Sequence, residues 1–483
     1  MKIKALSLAI ASVVASQAHA LAPSAFDSNT VEIYQSGASA QQNTMEALLT
    51  DFCQSGTLDT YADGADDFRN YFCTFKTAGV PASLQGKNVV FYTRATGGSA
   101  WGVIPVGKNW NVRFMDLDAC SYNGSSSQQT CAITTQSTAL LPNGECPTDS
   151  ADYSSADQDT RCRVSDFGVS DVEPDLFVGN NLNPADGFIS GLTSAEAASL
   201  TVSANYGVVF GFSVSNNVRD SLIDAGFRIE APTSGVVAAN VVNVGGTDYV
   251  ANLSKTAIRS VMSGAITNWG QLDPSFANGA NDIAFGGFMM SCRRAPGSGT
   301  QASAQIQFLD DPCHSGPKGG SVGMVTEGDS NSDYLVYENS GSGRVEKCQN
   351  DANNATSTEV DTFGFNWGAW GINAINRSQS GDSWSFVAID GTYPTLEAAQ
   401  VGDYDHMFEQ TTQFKTSLSG AKGDFVRLFA SEFKKEARIV SSGATGVLAL
   451  PDASLGQFFP GNNNLVSRVT RGGNSCNSLQ IVQ

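Results

Sequence analysis

The stretch S-C-R-R-A-P-G-S-G-T-Q-A-S-A-Q-I-Q-F-L, residues 291–309, decides the fold of this chain. The residues before it, 283–290, are apolar enough to form a buried strand, and Ala302, Ile306 and Leu309 recur at helical spacing. The glycines between them therefore predict a strand-to-helix turn. Such a turn suits an oxyanion, because the first N–H groups of a helix lack partners within it and lie at the positive end of its dipole.

The side chains of this turn add to that chemistry. Gly297 and Gly299 let the backbone approach a ligand, Ser298 and Thr300 supply hydroxyl donors, and Arg294 offers a two-pronged guanidinium. The alternative is a glycine turn whose hydroxyls cap the helix. Taken alone, the motif favours that alternative by roughly two to one, because short Gly/Ser motifs recur by chance.

Three further segments repeat the pattern of a strand followed by glycine and hydroxyl residues. Residues 30–35 alternate like a strand before S-G-A-S-A at 36–40, and residues 88–92 precede T-G-G-S-A-W-G at 96–102. The segment D-F-G-V-S-D at 166–171 ends on Asp171. Local patterns leave alternatives open: a plain turn at Ser99 and a helix N-cap at Asp171.

Together these motifs resemble, in the same order, those of the phosphate-binding periplasmic receptors of ABC uptake systems. R-A-P-G-S-G-T is similar to the R-x-D-G-S-G-T motif of that family, and F-G-V-S-D is similar to its F-G-x-S-D motif. The resemblance implies an α/β fold of the type 2 periplasmic-binding-protein class, with two lobes, each a sheet flanked by helices, and a ligand cleft between them. It implies phosphate contacts from Ser39, Ala40, Ser99, Asp171, Arg294, Ser298, Gly299 and Thr300.

The chain departs from the family pattern at two places. Gln41 and Gln42 stand where the family usually has Thr-Phe, and Pro296 stands where it has an Asp that holds the arginine. How Arg294 is oriented is therefore open, with Asp171 as one candidate partner. Arg293 is a second candidate for the cation, although the register favours Arg294.

The carboxylate of Asp171 bears on which anion would bind. Monoprotonated phosphate carries an O–H donor that an ionised carboxylate can accept, whereas fully ionised sulfate has none. The motif therefore favours phosphate over sulfate. The resemblance implies a small oxyanion as ligand and leaves open an ABC permease as partner; we expect a monomer without a cofactor or a metal.

Residues 1–20 read as a secretory signal: Lys2 and Lys4 precede an apolar run, and A-H-A at 18–20 is a cleavage motif. The first cysteine is Cys53, so no lipid-anchoring cysteine follows that site. We therefore expect a periplasmic or secreted protein without a membrane anchor. The formal net charge of −19 argues against nucleic acid and anionic membranes as partners.

Ten cysteines in an oxidising compartment favour disulfides over metal or thiol chemistry. Local spacing predicts Cys53–Cys73, Cys120–Cys131 and Cys146–Cys162. The three pairings of the other four stay open; these are Cys292, Cys313, Cys348 and Cys476.

The predicted organisation follows the resemblance. Lobe 1 comprises residues 21–212 with a Cys-bearing insertion at about 108–165, and lobe 2 comprises 213–374 with a second insertion at about 310–363. Residues 375–483 complete lobe 1. Both insertions are rich in Ser, Asn and Gly.

Two other functions compete with a receptor. An enzyme is disfavoured, because only His314 and His406 remain after signal removal and neither lies in a G-x-S-x-G or zinc pattern. An extracellular surface or matrix protein that retains the receptor fold is the stronger alternative. The missing lipid anchor and the two Cys-bearing insertions favour it.

Overall fold

A computed structural model of the chain describes most of the sequence beyond residue 20. The described ranges are 21–38, 42–63, 68–117, 120, 129–131, 160–184, 188–276, 287–314, 322–355, 366–377, 381–461 and 465–482. The secretory signal, Ser39, Ala40 and Cys146 lie outside the described residues, as does most of the expected insertion at 108–165.

Most strands belong to one large mixed sheet, and the rest form small two- and four-stranded sheets. In chain order the strands are β1 (Val31–Gly37), β2 (Asp59–Asp63), β3 (Phe68–Thr74), β4 (Asn88–Arg94), β5 (Asn111–Met115), β6 (Gln129–Cys131), β7 (Thr160–Val164), β8 (Phe167–Ser170), β9 (Leu200–Ser215), β10 (Arg228–Glu230), β11 (Val242–Val244), β12 (Thr247–Leu253), β13 (Met289–Arg294), β14 (Tyr334–Asn339), β15 (Gly368–Ala374), β16 (Trp384–Phe386), β17 (Ala388–Ile389), β18 (Met407–Lys415), β19 (Val447–Ala449), β20 (Val469–Thr470) and β21 (Gln480–Ile481).

The helices mostly follow strands and pack on the large sheet. They are α1 (Gln42–Phe52), α2 (Ser99–Lys108), α3 (Ser194–Ala198), α4 (Asn216–Asp224), α5 (Lys255–Met262), α6 (Gly299–Ala304), α7 (Ser342–Asn354), α8 (Leu396–Val401), α9 (Gly420–Phe433) and α10 (Glu436–Ser442). A π-helical turn, Gln305–Leu309, extends α6. Among the described residues, no helix has both the length and the apolar composition needed to cross a membrane.

The large sheet has two halves joined by the long strand β9. Its main order is β14-β13-β15-β9-β18-β8-β1-β4-β3-β2-β6. We call β14, β13 and β15 the β13 half, and β8, β1, β4, β3, β2 and β6 the β1 half. The first part of β9 pairs with β18, whereas its last part pairs with β15. The α/β class predicted from the sequence is thus confirmed.

Strand β9 can serve both halves because it is long and its second part is buried throughout. A near-continuous apolar run is typical of a strand covered on both faces. In the β1 half, α9 covers the sheet with an aromatic ridge: Phe425 and Phe429 contact Phe167 of β8, at centroid distances of 6.4 and 4.9 Å. The core of this half thus packs against β8, the strand that leads to Asp171.

One local prediction is confirmed and another needs correction. The run that begins at Leu253 predicts an amphipathic helix capped by Ser254 and stopped at Gly264. Ser254 does cap α5, accepting from the backbone N–H of Ala257, and α5 ends at Met262, just before Gly264 with its positive φ. The strand expected over 283–290 is displaced, because β13 begins at Met289 and continues through both arginines to Arg294. Residues 283–286 of that expectation lie outside the described residues.

The expected second insertion, 310–363, contains a strand and a helix of the β13 half. Strand β14 pairs with β13 in parallel over its whole length, and α7 follows it. The Cys292–Cys348 disulfide fixes α7 to β13. This part of the segment is therefore built into the sheet. For the expected first insertion, the described ends are anchored by the pairing of β5 with β7.

Disulfides resolve the pairings that the sequence left open. Cys53–Cys73 and Cys120–Cys131 are present as predicted. The remaining four cysteines pair as Cys292–Cys348 and Cys313–Cys476. Cys162 is also disulfide-bonded, and its pairing with Cys146 stays a prediction.

The C-terminal segment, residues 466–482, is fixed at several points to other parts of the chain. Cys476 is bonded to Cys313, in the connection between β13 and β14. The Glu409 carboxylate of β18 accepts from the backbone N–H of Arg471 at 2.6 Å, and Glu173 accepts from the backbone N–H of Ser475 at 3.0 Å. This segment therefore links the β13 half to the loop after β8.

Candidate functional site

Two glycine turns, one from each half of the sheet, are in direct contact. One follows β4 and starts α2, and the other follows β13 and starts α6. The backbone N–H of Ala100 donates to the carbonyl of Gly297 at 2.9 Å. Helix starts that follow parallel strands at the edge of an α/β sheet are where ligands commonly bind. The structure thus brings together the segments around Ser99 and Ser298.

Glycine is required at the point of closest approach. A Cβ at Gly299 would lie 2.3 Å from the Oγ of Ser99 and 2.7 Å from the Cβ of Asp171. Contacts this short force neighbouring atoms to shift. Gly299 therefore permits three predicted site residues, from turns far apart in sequence, to touch.

Asp171 lies at the carboxyl end of β8 and is buried. Its backbone N–H donates to Ser99 Oγ at 3.1 Å, and that hydroxyl lies 3.5 Å from Asp171 Oδ2. Burial raises the pKa of the Asp171 carboxyl, and hydrogen bonding from Gln410 and the charge of Arg294 partly oppose this. The N-cap alternative is not realised in the next helical turn, which begins at Pro174 with Glu173 as its N-cap.

Arg294 ends β13, and its guanidinium is held by the turn between β14 and α7. Nη1 donates to Ser342 Oγ at 3.0 Å, Nη2 donates to the Ser340 carbonyl at 3.0 Å, and Nε donates to the Asn339 carbonyl at 3.3 Å. These acceptors orient Arg294 in a chain that has Pro296 in place of the family's Asp. Burial lowers the pKa of Arg294 to about 10, and the negative charge of Asp171 opposes that shift.

The neighbouring Arg293 faces the other way, as alternation along a strand requires. Its guanidinium donates to the Val325 carbonyl and lies 3.5 Å from the carboxylate of Glu338. Arg294 is therefore the arginine whose charge interacts with the carboxyl group of Asp171.

Ser298, Gly299 and Thr300 are buried at the start of α6. The Ser298 hydroxyl accepts from the backbone N–H of Gln301 at 3.3 Å. For Ser298 the helix-capping alternative is thus realised. The capping bond uses the hydroxyl as acceptor, so its proton remains available as a donor.

Ser39 and Ala40 lie outside the described residues, so their predicted contacts are not placed. The residue before them is placed: the backbone N–H of Ala38 donates to the Val169 carbonyl of β8 at 2.9 Å. Close packing of the same region depends on Gly168, where a Cβ would lie 1.6 Å from the carbonyl oxygen of Gly102. The glycine of F-G-V-S-D therefore lets α2 pack against β8.

Two parts of the site were not expected from the sequence: Gln410 and the turn that holds Arg294. Gln410 is buried in β18, and its Nε2 donates to Asp171 Oδ1 at 3.3 Å. A signal was present, because E-Q-T-T-Q at 409–413 is a polar run inside a strand that is buried from Met407 to Phe414. Ser340 and Ser342 gave no such signal, since they follow a strand that the sequence analysis had assigned to an insertion.

The arrangement offers hydroxyl and backbone donors around a buried guanidinium and carboxylate. Neither histidine hydrogen-bonds to Arg294 or Asp171 within the described ranges. His406 is buried among the rings of Phe210, Phe308 and Phe408, and burial lowers its pKa well below the ordinary value. His314 is exposed. In the part of the chain that is described, no three metal-binding side chains of His, Cys, Asp or Glu cluster.

No protein-family model matches the chain, and no curated protein does. The chain is similar to a solved putative phosphate ABC transporter substrate-binding protein with bound phosphate from Clostridium perfringens. They share 14% identity over 86% of this chain and 98% of that chain, with a TM-score of 0.40.

Two further solved structures are similar. An ABC-type phosphate transport receptor from Vibrio cholerae has 14% identity over 58% of this chain and 79% of that one, with a TM-score of 0.32. A DING protein has 15% identity over 90% and 96%, with a TM-score of 0.39. The two named as phosphate-transport proteins belong to the class that the sequence motifs resemble.

Proposed function

We propose that this chain binds inorganic phosphate between the two glycine turns and acts as an exported solute-binding receptor, with an ABC permease as its partner. The observation that carries the proposal is the position of Asp171, which is buried against Ser99 at the start of α2 and Gly299 at the start of α6, while its charge interacts with that of the buried Arg294. Ser39, Ala40, Ser99, Ser298, Gly299 and Thr300 would supply the neutral donors.

The charge balance of this site supports a small anion. An isolated pair of buried charges is costly unless each is well partnered. Arg294 would contribute one cation to the ligand, and Asp171 would accept the proton of monoprotonated phosphate. The remaining donors would be uncharged, which lets an acidic protein hold an anion in a closed site.

Calorimetry tests the proposal. The mature protein, stripped of any co-purified anion, should release or absorb heat with phosphate and arsenate and give none with sulfate. Arg294→Ala should weaken phosphate binding at least tenfold, since a hydrogen bond to a charged group contributes roughly 1.5–3 kcal/mol. Arg427→Ala, which removes an arginine on α9 paired with Asp424, is the control and should bind normally.

The absence of any phosphate heat would contradict the proposal and favour the matrix-protein alternative. That alternative is supported by the anchoring of the first expected insertion, whose described ends carry the Cys120–Cys131 bond and the β5–β7 pairing. The uptake role is tested separately, by growth of a strain lacking this protein on limiting phosphate. If growth and phosphate uptake are undiminished in that strain, the protein binds phosphate without being needed for its transport.

A further inference from the structure

Asn373 is a buried amide to which no described residue gives a hydrogen bond. Its side chain is fully buried in β15, and neither Oδ1 nor Nδ2 has a hydrogen-bond partner among the described residues. Buried polar groups are almost always paired, because leaving a donor and an acceptor without partners costs free energy. An amide with both groups unpaired therefore points to a partner outside the polypeptide.

The sheet register places Asn373 beside Arg294. Strands β13 and β15 are parallel neighbours, with Cys292 opposite Gly371. Two residues further along each strand are Arg294 and Asn373, both at the carboxyl end. Because side chains alternate along a strand, Arg294 lies on the same face of the sheet as Cys292, and Asn373 lies on the same face as Gly371.

That face is the one covered by α7. Cys292 is bonded to Cys348 of α7, and a Cβ at Gly371 would lie 2.8 Å from Val345 of the same helix. Arg294 itself donates to Ser342, the first residue of α7. Asn373 therefore lies under the first turn of α7, next to the guanidinium that we assign to the anion.

We propose that Asn373 is a further ligand-binding residue, whose amide nitrogen donates a hydrogen bond to an oxygen of the bound anion. The inference rests on the proposed function. It adds to the predicted site a neutral donor from the β15 strand, which none of the motif residues supplies. Its amide oxygen is then available to accept from Arg294 or from the proton of the anion.

The test compares two substitutions in the full mature protein. Asn373→Leu replaces the amide by an apolar group of similar size, and Asn373→Ala provides a second variant if leucine does not fit. Both should weaken phosphate binding at least tenfold by calorimetry. The unfolding temperature of anion-stripped Asn373→Leu should be equal to or higher than that of the wild type, because no protein hydrogen bond is lost.

A matched control is Asn70→Leu on β3, in the β1 half. Asn70 is equally buried, but its Nδ2 donates to the Met115 carbonyl at 3.1 Å. This variant should unfold at a lower temperature and bind phosphate normally. Lower stability of Asn373→Leu with phosphate affinity within twofold of the wild type would overturn the inference, because it indicates a structural role with a buried water as partner.

The two proposals fail separately. If the wild type binds phosphate and Arg294→Ala does not, while both Asn373 variants bind normally, the proposed function stands and the role of Asn373 is wrong. If the wild type shows no phosphate binding, both are wrong.

Discussion

Gly299→Ala is the substitution for which the structure gives the sharpest expectation. The added methyl carbon would lie 2.3 Å from Ser99 Oγ and 2.8 Å from Asp171 Oδ2, whereas ordinary contacts begin near 3.4 Å. The turns that carry Gly299 and Ser99 would have to separate by about 1 Å to relieve the worst contact. Inserting a methyl group into a packed contact typically costs about 1–3 kcal/mol.

The substitution should act on the closed site and not on the fold of either half. Gly299 is the first residue of α6, where alanine is acceptable and is a better helix former than glycine. We therefore expect an unfolding temperature close to that of the wild type, with phosphate binding weakened roughly 5- to 150-fold. Calorimetry and thermal unfolding on anion-stripped protein measure both quantities.

Gly341→Ala is the matched control for this experiment. Gly341 is the N-cap of α7, next to the turn that holds Arg294, and a Cβ there would meet no atom within 4 Å. This variant should bind phosphate within about twofold of the wild type. Unchanged phosphate affinity in Gly299→Ala would refute the reasoning, because it would mean that the two turns do not come this close when the ligand is bound.

Two further predictions follow from the buried charges and the disulfides. Because burial raises the folded-state pKa of Asp171 above its ordinary value of 3.8, its contribution to stability is complete below that value and is lost as the pH rises through the folded pKa. Asp171→Asn should weaken phosphate binding at least tenfold, because it removes a charged hydrogen-bond acceptor. In anion-free protein, the unfolding temperature of the variant should rise relative to that of the wild type between pH 4 and pH 7. A difference in unfolding temperature that stays constant with pH would contradict this. Replacing Cys313 and Cys476 together by serine opens a link that spans 163 residues, so chain entropy predicts a loss of up to about 5 kcal/mol in unfolding free energy. Calorimetric unfolding at an unchanged temperature would show that the contacts of Arg471 and Glu409 hold the C-terminal segment without the covalent bond.

The sequence predicted features that depend on local pattern. Ser254 caps α5 because a hydroxyl before a helical run can accept from the third N–H of the helix. The turn after β13 was predictable because glycines separate an apolar run from residues that recur at helical spacing. Cys53–Cys73 and Cys120–Cys131 were predictable because each pair is close in sequence, at separations of 20 and 11 residues.

Features that depend on distant neighbours were not predictable in this way. Strand β14 reads as part of a polar segment, and only its pairing with β13 places Asn339 and Ser342 around Arg294. Strand β13 extends to Arg294 because both of its arginines find acceptors when buried, which no periodicity reveals. The unpaired amide of Asn373 likewise becomes visible only when every nearby hydrogen bond is placed.

The covalent link between Cys313 and Cys476 constrains how a phosphate ion could enter and leave. The Cα atoms of the two cysteines are 5.3 Å apart and stay near that distance whatever else rearranges. Separation of the turns at Gly297 and Ala100 therefore has to leave these two cysteines together, so the parts of the molecule next to the disulfide would move apart least. The starts of α2 and α6 are buried while the turns are in contact, and an incoming ion would reach them from the side farthest from the C-terminal segment.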